Sequence, residues 1–290
     1  MSYTIITVLH DSRAELAALL DSLDRHVAPR PPVVVVDSGS RDDGAALARE
    51  RGAAVLVLDG NVGFGAATNA GVARVDTDVT VLLNPDVEVR DAASLERLAA
   101  RARERDALVA PRLLGADGSV QKSAHPVPGT ADALLLVPAP ALPRALRERA
   151  EPWRATRPRD VGWAIAAALA ARTSTLRALG PFDPSVFLLY EDLDLCLRAR
   201  AAGVPTELRP EAALLHHGGH AVNRAGEPLD AHARRRREVV EARLGGGALR
   251  RDDAAQALTF ATRIAARAVL RRDATRERGQ LRALRAARRG

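Results

Sequence analysis

Hydrophobic and polar residues follow two alternating periods along the first 112 of the 290 residues. Short runs that are almost wholly apolar, such as PPVVVVD and VTVLL, are typical of buried strands. Between them lie segments with apolar residues at helical spacing, as in RAELAALLDSLDRH, where Leu16, Leu19, Leu20 and Leu23 share one face. Strands that alternate with helices in this way predict an α/β fold, a parallel sheet covered by helices.

Nine segments carry these periods. They alternate between strand and helix, beginning and ending with a strand: YTIITVLH, RAELAALLDSLDRH, PPVVVVD, RDDGAALARERG, AAVLVL, FGAATNAGVARV, VTVLL, AASLERLAARARER and ALVAPRL. Residues 113–160 are dotted with proline, which predicts a long surface excursion with a turn at GADGS. Order returns with GWAIAAALAAR, a buried strand or helix, and with helices at TSTLRALG and EDLDLCLRARAAG. VPTELRP and AALLHH predict two closing strands, and three Arg-rich helical stretches follow residue 230.

The net charge changes sign along the chain. Residues 231–290 hold 17 arginines and six acidic residues, a net charge of +11, whereas residues 1–230 hold 26 basic and 30 acidic residues, a net charge of −4. A mildly acidic body with a strongly basic tail predicts a boundary near residue 230 and an anionic partner for the tail. In the tail, arginines recur every four residues opposite a small apolar face. The arginines are Arg263, Arg267 and Arg271, and the face is Leu258, Ala261, Ala265 and Val269.

Cysteine content and hydropathy indicate the compartment. Cys196 is the only cysteine, which excludes an intramolecular disulfide and suits a reducing compartment. MSYTIITVLHD runs directly into the first strand, so we expect no signal peptide. No apolar stretch approaches the roughly 20 residues needed to cross a bilayer. We expect a soluble or peripheral cytoplasmic protein.

Two carboxylates stand where this architecture exposes side chains to ligands. Asp37 ends the VVVVD strand and Asp86 follows VLL, and ligands of open α/β sheets bind beyond the carboxyl ends of the strands. Asp37 can accept a base N–H, and Asp86 can supply the hard oxygen ligand that bridges a metal to a diphosphate. The structural alternative is an Asx turn at DSGS for Asp37 and a strand-end turn for Asp86.

Gly63 and Gly65 precede a predicted helix in NVGFGAATNAG. The dinucleotide-binding pattern would require a third glycine where Thr68 stands, and it belongs after the first strand. A tight strand-to-helix turn is the alternative for this segment.

Three acids and two histidines could carry proton chemistry. Glu191, Asp192 and Asp194 begin a helix after the apolar run VFLLY. Acids in a first turn complement the helix dipole without any function, for less than about 1 kcal/mol. A carboxylate held at an apolar wall would instead have a raised pKa and serve as a base. Because strand neighbours face opposite ways, only one of His216 and His217 can share a site with the acids. A structural role for that histidine stays open.

Six features follow one another along the chain: an Asp ending the second strand, G-F-G-x-x-x-N, N-P-D, a Trp, E-D-x-D-L-x-x-R and H-H. In this order they resemble glycosyltransferase family 2, whose members are inverting enzymes of GT-A fold. The resemblance runs from about Thr4 to His220. It implies a Rossmann-like, mostly parallel sheet flanked by helices in a catalytic domain over residues 1–230. Residues 1–112 would be its nucleotide-binding half and residues 113–230 its acceptor and catalytic half, followed by an Arg-rich helical tail over residues 231–290.

The resemblance also implies roles for single residues. Asp192 would be the general base. Asp86 would bind Mg²⁺ or Mn²⁺ on the sugar-nucleotide diphosphate, and His216 would complete the metal shell. The implied donor-binding positions are Thr7, Val8, Asp37, Gly63, Asn69 and Asn84, with Asp37 on the pyrimidine base. The implied acceptor or supporting positions are Trp163, Glu191 and Asp194.

Within the family, DGSVQKSAHPVPG, VGW and LHHGGH are most similar to actinobacterial rhamnosyltransferases, which transfer L-rhamnose from dTDP-rhamnose to polyprenyl-diphosphate-linked N-acetylglucosamine. Two positions differ: Ala166 stands where the family usually has glycine, and His125 where these enzymes tend to have arginine. The donor sugar therefore stays open between dTDP-L-rhamnose and another dTDP- or UDP-sugar. A lipid-linked or other glycan acceptor implies a peripheral location at the inner face of the cell membrane, with the basic tail on the anionic surface.

Two other functional classes fit parts of the pattern. A nucleotidyltransferase shares the sheet and the metal, but it would usually need a basic Gly-rich phosphate loop near the amino terminus, and TVLHDSRAE has none. A non-catalytic nucleic-acid-binding protein would use the arginines for phosphate contacts. Phe260 is the sole aromatic residue after residue 230 that could stack on a base. We therefore expect a glycosyltransferase and no nucleic-acid partner.

Overall fold

The structure, a computed structural model, describes residues 3–134, 142–184, 188–218 and 228–289. Contacts group the chain into two compact units, Met1–Ala124 with Ala155–Gly218 and His125–Arg154 with Gly219–Gly290. This grouping differs from the predicted division at residue 230, because it joins residues 125–154 with the carboxyl-terminal helices. His220, the first part of the VFLLY run and residues 135–141 of the predicted surface excursion lie outside the described residues.

The first 114 residues form the strands and helices that their hydrophobic periods predict, with one short strand added after the N-P-D segment. In chain order these elements are β1 (Tyr3–Leu9), α1 (Arg13–His26), β2 (Val33–Asp37), α2 (Gly44–Glu50), β3 (Ala54–Val57), α3 (Phe64–Val72), β4 (Val79–Leu83), β5 (Val87–Glu88), α4 (Ala92–Glu104) and β6 (Leu108–Leu114). The four leucines of the α1 face are fully buried, as their spacing predicts.

The later elements include short helices in the described part of the predicted surface excursion. In chain order they are β7 (Ala124–His125), α5 (Ala131–Leu134), α6 (Arg144–Ala150), a 3₁₀ turn (Pro152–Arg154), β8 (Arg159–Val161), β9 (Trp163–Ala164), β10 (Ala168–Arg172), α7 (Thr173–Leu179), α8 (Glu191–Ala201), β11 (Thr206–His216), α9 (Leu229–Val269) and α10 (Thr275–Ala287). GWAIAAALAAR thus forms strands. The prediction of two closing strands is wrong, because VPTELRP and AALLHH contribute to the single strand β11. This strand has an irregularity between Arg209 and Ala213.

Nine strands of the described residues form one sheet in the order β3-β2-β1-β4-β10-β6-β11-β5, with β8 pairing with β11 beside this order. The first four strands in that order are parallel to one another. β10 runs antiparallel to both β4 and β6, whereas β6 and β11 are parallel. The sheet is therefore mixed, with its first four strands parallel, which confirms the predicted fold class.

The second unit contains helices rich in arginine. α9 changes direction at Gly245, whose φ of 80° lies in the region that favours glycine, so residues after 230 form three helical segments as predicted. Arg236 pairs with buried Asp252 at 2.8 Å, and Arg237 pairs with buried Asp253. These pairs connect the first segment of α9 to the second. No helix among the described residues is both long and apolar enough to span a membrane.

Candidate active site

Three strands end side by side at one edge of the sheet. Leu9 at the end of β1 pairs with Asp37 at the end of β2, and Ile6 of β1 pairs with Leu82 of β4. All three strands are parallel, so their carboxyl ends face the same way. The N-P-D segment follows β4 directly at this edge. This is where open α/β sheets bind their ligands.

The predicted base-binding residues lie together on β1 and β2. Asp37 is 5% exposed, and its Oδ1 accepts the Ser40 N–H at 2.9 Å. The Asx turn that the sequence offers as the alternative is therefore present, and it holds the carboxylate at the strand end. Thr7 is fully buried, and its hydroxyl has no hydrogen-bond partner among the described residues. Val8, which follows it in β1, is half-buried.

The Gly63 turn and Asn69 stabilise the fold near the edge of the sheet where β1, β2 and β4 end. Gly63, with a φ of 83°, precedes α3, and its N–H donates to Asn61 Oδ1 at 3.1 Å. Asn69 Nδ2 donates to the Phe182 carbonyl at 2.8 Å, and Asn69 Oδ1 accepts the Phe182 N–H at 3.0 Å. Both polar atoms of this amide thus bind the backbone of a residue 113 positions away. Asn69 connects α3 to the segment that precedes α8, and its role toward a donor stays a prediction.

Asp86 and His216 face each other beyond β4. Asp86 is 9% exposed, and its Oδ1 lies 3.5 Å from His216 Nε2. The antiparallel pairing of β11 with β5 sets His216 opposite Val87. The His217 N–H donates to the Asp86 carbonyl at 3.0 Å, which fixes the backbone of the N-P-D segment. The structure therefore brings the two predicted metal ligands together.

Alternation along the strand end separates the two adjacent histidines. The His217 side chain is directed to Glu88, with 2.6 Å between Nε2 and Oε1. His216 instead lies between Asp86 and Gln121, whose Oε1 is 2.7 Å from His216 Nδ1. Gln121 is a site residue that spacing did not indicate, because it is 95 positions from its partner in the chain.

The Asp86–His216 pair fits a divalent cation. A carboxylate oxygen and an imidazole nitrogen are both ligands that Mn²⁺ accepts, and Mg²⁺ favours the carboxylate. Among the described residues no group of three or more His, Cys, Asp and Glu side chains could hold a metal. A cation bound here would therefore take its remaining ligands from water and substrate phosphate, which is how proteins usually bind Mg²⁺. Asn84 Oδ1, also at this strand end, is buried without a hydrogen-bond partner in the described part of the chain.

The chain is strained where it enters α8. Leu189 and Tyr190 have φ values of 81° and 61°, in the left-handed region that costs a residue with a side chain about 1–3 kcal/mol. Strain of this kind persists only where surrounding structure imposes it, and it concentrates at functional sites. The Tyr190 ring packs against that of buried Trp163, with 6.2 Å between their centroids. This turn places Glu191 and Asp192 at the start of α8.

Burial raises the pKa values of the first two acids of α8. For Asp192, burial outweighs the hydrogen bonds from the Leu193 N–H, at 2.7 Å, and the Ala166 N–H, at 3.4 Å, both of which lower the pKa. For Glu191, burial is the largest cause of the raised pKa and the negative charge of Asp192 is the next. The pKa of Glu191 is therefore raised above that of Asp192. Environments that separate the pKa values of two neighbouring carboxyls are typical of acid–base sites.

Asp194 belongs to a different set of contacts. It is 4% exposed and forms an ion pair with Arg198 Nε at 2.8 Å, one helical turn later. Arg198 also donates to the carbonyls of Gly180 and Pro181, at 3.1 and 2.8 Å. The third acid of the helix start therefore stabilises the junction between α7 and α8.

Residues 165–167 connect the parts of the site. The Ala166 N–H lies 3.4 Å from Asp192 Oδ2, and the Ala167 carbonyl accepts the Asn84 N–H at 2.8 Å. The candidate base and the N-P-D segment are thus hydrogen-bonded to the backbone of two adjacent residues. Ala166, where the family usually has glycine, is 5% exposed, so its methyl group is buried beside the candidate base.

A pocket of about 250 Å³ opens beside the Asp86–His216 pair, between α1 and the N-P-D segment, and Pro85, Asp86, Glu88 and His217 line part of it. A larger cavity of about 460 Å³ lies at the opposite end of β4, around Thr77 and Thr173, and no predicted site residue lines it. Of the predicted site residues, Asp86 alone lines the smaller pocket. His125 belongs to the second unit, where its ring lies 5.5 Å from that of Trp153.

Comparison with known proteins identifies the family. Residues 4–154 match the family model of Glycosyl transferase family 2. The N-acetylglucosaminyl-diphospho-decaprenol L-rhamnosyltransferase of Mycobacterium tuberculosis is 30% identical over 241 residues, which cover 76% of this chain and 77% of that protein.

Solved structures show the same fold. Glucosyl-3-phosphoglycerate synthase from Mycobacterium tuberculosis, in complex with Mn²⁺, UDP and phosphoglyceric acid, superposes with a TM-score of 0.55 at 19% identity, over 84% of this chain and 78% of that one. GalNAc-T7 with UDP, GalNAc and Mn²⁺ gives a TM-score of 0.60 at 14% identity, over 83% of this chain. The match spans 48% of GalNAc-T7, about half of its length. These structures confirm the fold class, and the family model and the mycobacterial relative confirm the kind of enzyme expected from the sequence: the chain is a glycosyltransferase and belongs to glycosyl transferase family 2.

Proposed function

We propose that the protein is an inverting, metal-dependent transferase that moves L-rhamnose from dTDP-L-rhamnose to a polyprenyl-diphosphate-linked N-acetylglucosamine. One observation supports this most strongly. The candidate base Asp192 accepts the Ala166 N–H, and the N-P-D segment with its Asp86–His216 pair donates to the carbonyl of the next residue, Ala167. A base and a diphosphate-binding pair held this close suit a direct displacement at a sugar carbon.

In the proposed step Asp192 takes the proton from an acceptor hydroxyl as its oxygen attacks the anomeric carbon. The new carbon–oxygen bond forms on the face opposite the diphosphate, whose bond to that carbon breaks with both electrons leaving on the diphosphate oxygen. The anomeric configuration inverts, and no covalent intermediate with the protein is needed.

The environment of Glu191 supports the assignment of Asp192 as the base. Its pKa is raised above that of Asp192, by burial and by the Asp192 charge, so Glu191 is the one that keeps a proton as the pH rises. A neutral Glu191 leaves Asp192 as the charged member of this adjacent pair. We infer that Glu191 keeps its neighbour ionised and basic without adding a second negative charge.

Asp86 and His216 would hold the divalent cation, which offsets negative charge on the leaving diphosphate when it is bound. Asp37 ends β2, and Thr7 lies two residues before the end of the neighbouring strand β1, where a pyrimidine base would bind. The buried Thr7 hydroxyl and Asn84 Oδ1, which have no partner in the described part of the chain, are groups that a nucleotide would satisfy.

The transferred sugar and the acceptor are proposed from the mycobacterial relative, whose name states an L-rhamnosyltransferase of N-acetylglucosaminyl-diphospho-decaprenol, and dTDP is proposed from the sequence resemblance. Ala166 and His125 differ from the family pattern, so another dTDP- or UDP-sugar is the second candidate donor. A thermal-shift screen of nucleotide sugars with Mn²⁺ distinguishes the two. We expect dTDP-L-rhamnose to stabilise the protein most, by about 2.7 kcal/mol at a hundred times its dissociation constant. A larger shift with a UDP-sugar would overturn the assigned donor while keeping the transferase.

We also propose that the second unit binds the anionic membrane that carries a lipid-linked acceptor. The predicted apolar face of α9 is turned outward: Leu258 is 52% exposed and Val269 is 83% exposed, and Leu270 beyond the helix is 61% exposed. Within the predicted arginine row, Arg267 pairs with Glu277 at 2.8 Å, whereas Arg271 is exposed. A helix with an exposed apolar strip and arginines on its other face suits an anionic lipid surface, to which each Lys or Arg contributes about 1 kcal/mol.

The full-length protein is expected to co-sediment with vesicles that contain anionic lipid at low salt and to be released as salt rises, because screening weakens the attraction of arginines for lipid phosphates. Val269→Asp should reduce the bound fraction, since it places a negative charge on the most exposed part of the strip. Val57→Asp is the matched control, because Val57 is 51% exposed in the first unit. Equal sedimentation of the two variants and the unchanged protein would exclude this surface.

A further inference from the structure

We infer that Gln121 is a positioning residue that holds His216 as the tautomer with its proton on Nδ1, so that the Nε2 lone pair is available to a divalent cation at Asp86. The inference rests on the proposed metal-dependent transfer. It goes beyond it by assigning a function to a residue outside the predicted site and by defining the chemical state of the metal ligand.

The backbone carbonyl of His216 determines how the Gln121 amide is oriented. The Gln121 side chain lies 2.6 Å from this carbonyl, through Nε2, and 2.7 Å from His216 Nδ1, through Oε1. A carbonyl oxygen can only accept, so the amide nitrogen must face it. The amide oxygen is thereby left to face Nδ1.

The amide orientation in turn determines the tautomer. An amide oxygen can only accept, so the atom opposite it, Nδ1, must carry the proton. In neutral imidazole the other nitrogen then has the lone pair. That nitrogen, Nε2, is the atom that lies 3.5 Å from Asp86 Oδ1. The two hydrogen bonds of one glutamine thus aim a ligand lone pair at the carboxylate.

The backbone of Gln121 is fixed by the sheet. Its N–H donates to the Leu113 carbonyl of β6 at 2.9 Å, and its carbonyl accepts the Ser123 N–H at 2.9 Å. Between Leu113 and Gln121 the chain turns at GADGS. In this turn the Gly115 N–H donates to the Ser119 carbonyl at 2.8 Å. This turn after β6 therefore returns the chain to the end of β11, where Gln121 meets His216.

Outer-shell partners of this kind orient metal-bound histidines, and their loss typically lowers metal affinity by about 10- to 100-fold. Carboxylates and backbone carbonyls are common in this position. Gln121 accepts the same proton without adding negative charge. The resulting site has one charged ligand, Asp86, and one neutral ligand, His216.

The first test reads the tautomer directly, in the full-length protein without metal. Long-range proton–nitrogen NMR spectra of ¹⁵N-histidine-labelled protein, with the His216 signals identified from their loss in His216→Asn, report which ring nitrogen is protonated. We expect a protonated Nδ1 and an unprotonated Nε2 at a pH where the ring is neutral. A proton on Nε2 in the unchanged protein would overturn the inference, whatever the protein's activity.

The second test removes and then restores the acceptor. Gln121→Leu is expected to mix the two tautomers and to weaken Mn²⁺ binding in the presence of dTDP by about 10- to 100-fold in calorimetric titration. Gln121→Glu keeps an oxygen acceptor for Nδ1 and should keep the Nδ1–H tautomer even if its affinity changes. Gln280→Leu, in the second unit, is the matched control and should change neither measurement.

The outcomes separate this inference from the proposed function. If His216→Asn weakens Mn²⁺ binding but Gln121→Leu leaves both tautomer and affinity unchanged, the metal site stands and the role of Gln121 falls. If His216→Asn leaves Mn²⁺ binding unchanged, the proposed metal site is itself wrong. Should Gln121→Leu fail to fold, the tautomers of the unchanged protein and of Gln121→Glu still decide the question.

Discussion

Asp192→Asn is expected to lower the turnover number by roughly 10²–10⁴-fold, because it removes the proton acceptor while keeping the shape of the side chain. Donor affinity should change little, since Asp192 contacts the Ala166 and Leu193 amides rather than the strand ends where the donor would bind. Initial rates with a short acceptor, together with calorimetric titration of the nucleotide, measure the two quantities separately.

Asp194→Asn is the matched control for this experiment. The same chemical change two residues later breaks the ion pair with Arg198, whose Nε lies 2.8 Å from the carboxylate. We expect it to lower the free energy of unfolding by about 1–3 kcal/mol and to leave turnover within about tenfold. If Asp194→Asn proved the more damaging change to turnover in folded protein, the base would be assigned to the wrong carboxylate.

The pH profile supplies a second readout. A base must be deprotonated to act, so the rate of the unchanged protein should fall as the pH is lowered through the pKa of Asp192. Burial raises that pKa above its ordinary value of 3.8, so the fall should begin at a higher pH than for an exposed aspartate. The residual activity of Asp192→Asn should lack this acidic limb.

The fold of the first 114 residues was predictable because its signals are local. Buried strands and one-faced helices each show their period within a single segment, and α1 buries all four leucines that its spacing selects. The direction of β10 was not predictable in this way. A continuous apolar run such as GWAIAAALAAR is buried on both faces whichever way it runs, and only its pairing with β4 and β6 shows that it is antiparallel.

Candidate site residues could be selected where a carboxylate stands at the end of a strand or the start of a helix. Asp37, Asp86 and Asp192 stand at such ends, and the structure places Asp86 beside His216 as expected. Contacts between distant segments carry no such signal. Gln121 meets His216 across 95 positions, and Asn69 meets Phe182 across 113, so only the folded chain shows what these amides bind.

Asp86→Ala is expected to lower the Mn²⁺-dependent affinity for dTDP or UDP by roughly 100-fold or more. Loss of an outer-shell partner alone costs about 10- to 100-fold in metal affinity, and Asp86 would be a direct ligand. The fold should persist, because the contact between the His217 N–H and the Asp86 carbonyl uses the backbone and survives the substitution. Calorimetric titration of the nucleotide with and without Mn²⁺ measures the effect, and a melting curve checks the fold.

Glu88→Ala provides the comparison that makes this result specific. It removes a carboxylate from the same strand end, two residues later, but Glu88 Oε1 pairs with His217 at 2.6 Å and not with His216. We expect Glu88→Ala to keep Mn²⁺-dependent binding within a few-fold of the unchanged protein, because it alters no proposed ligand. A general loss of negative charge at this edge would weaken both variants alike. Unchanged metal dependence in Asp86→Ala would remove this residue from the metal site and leave it as the turn residue that ends β4.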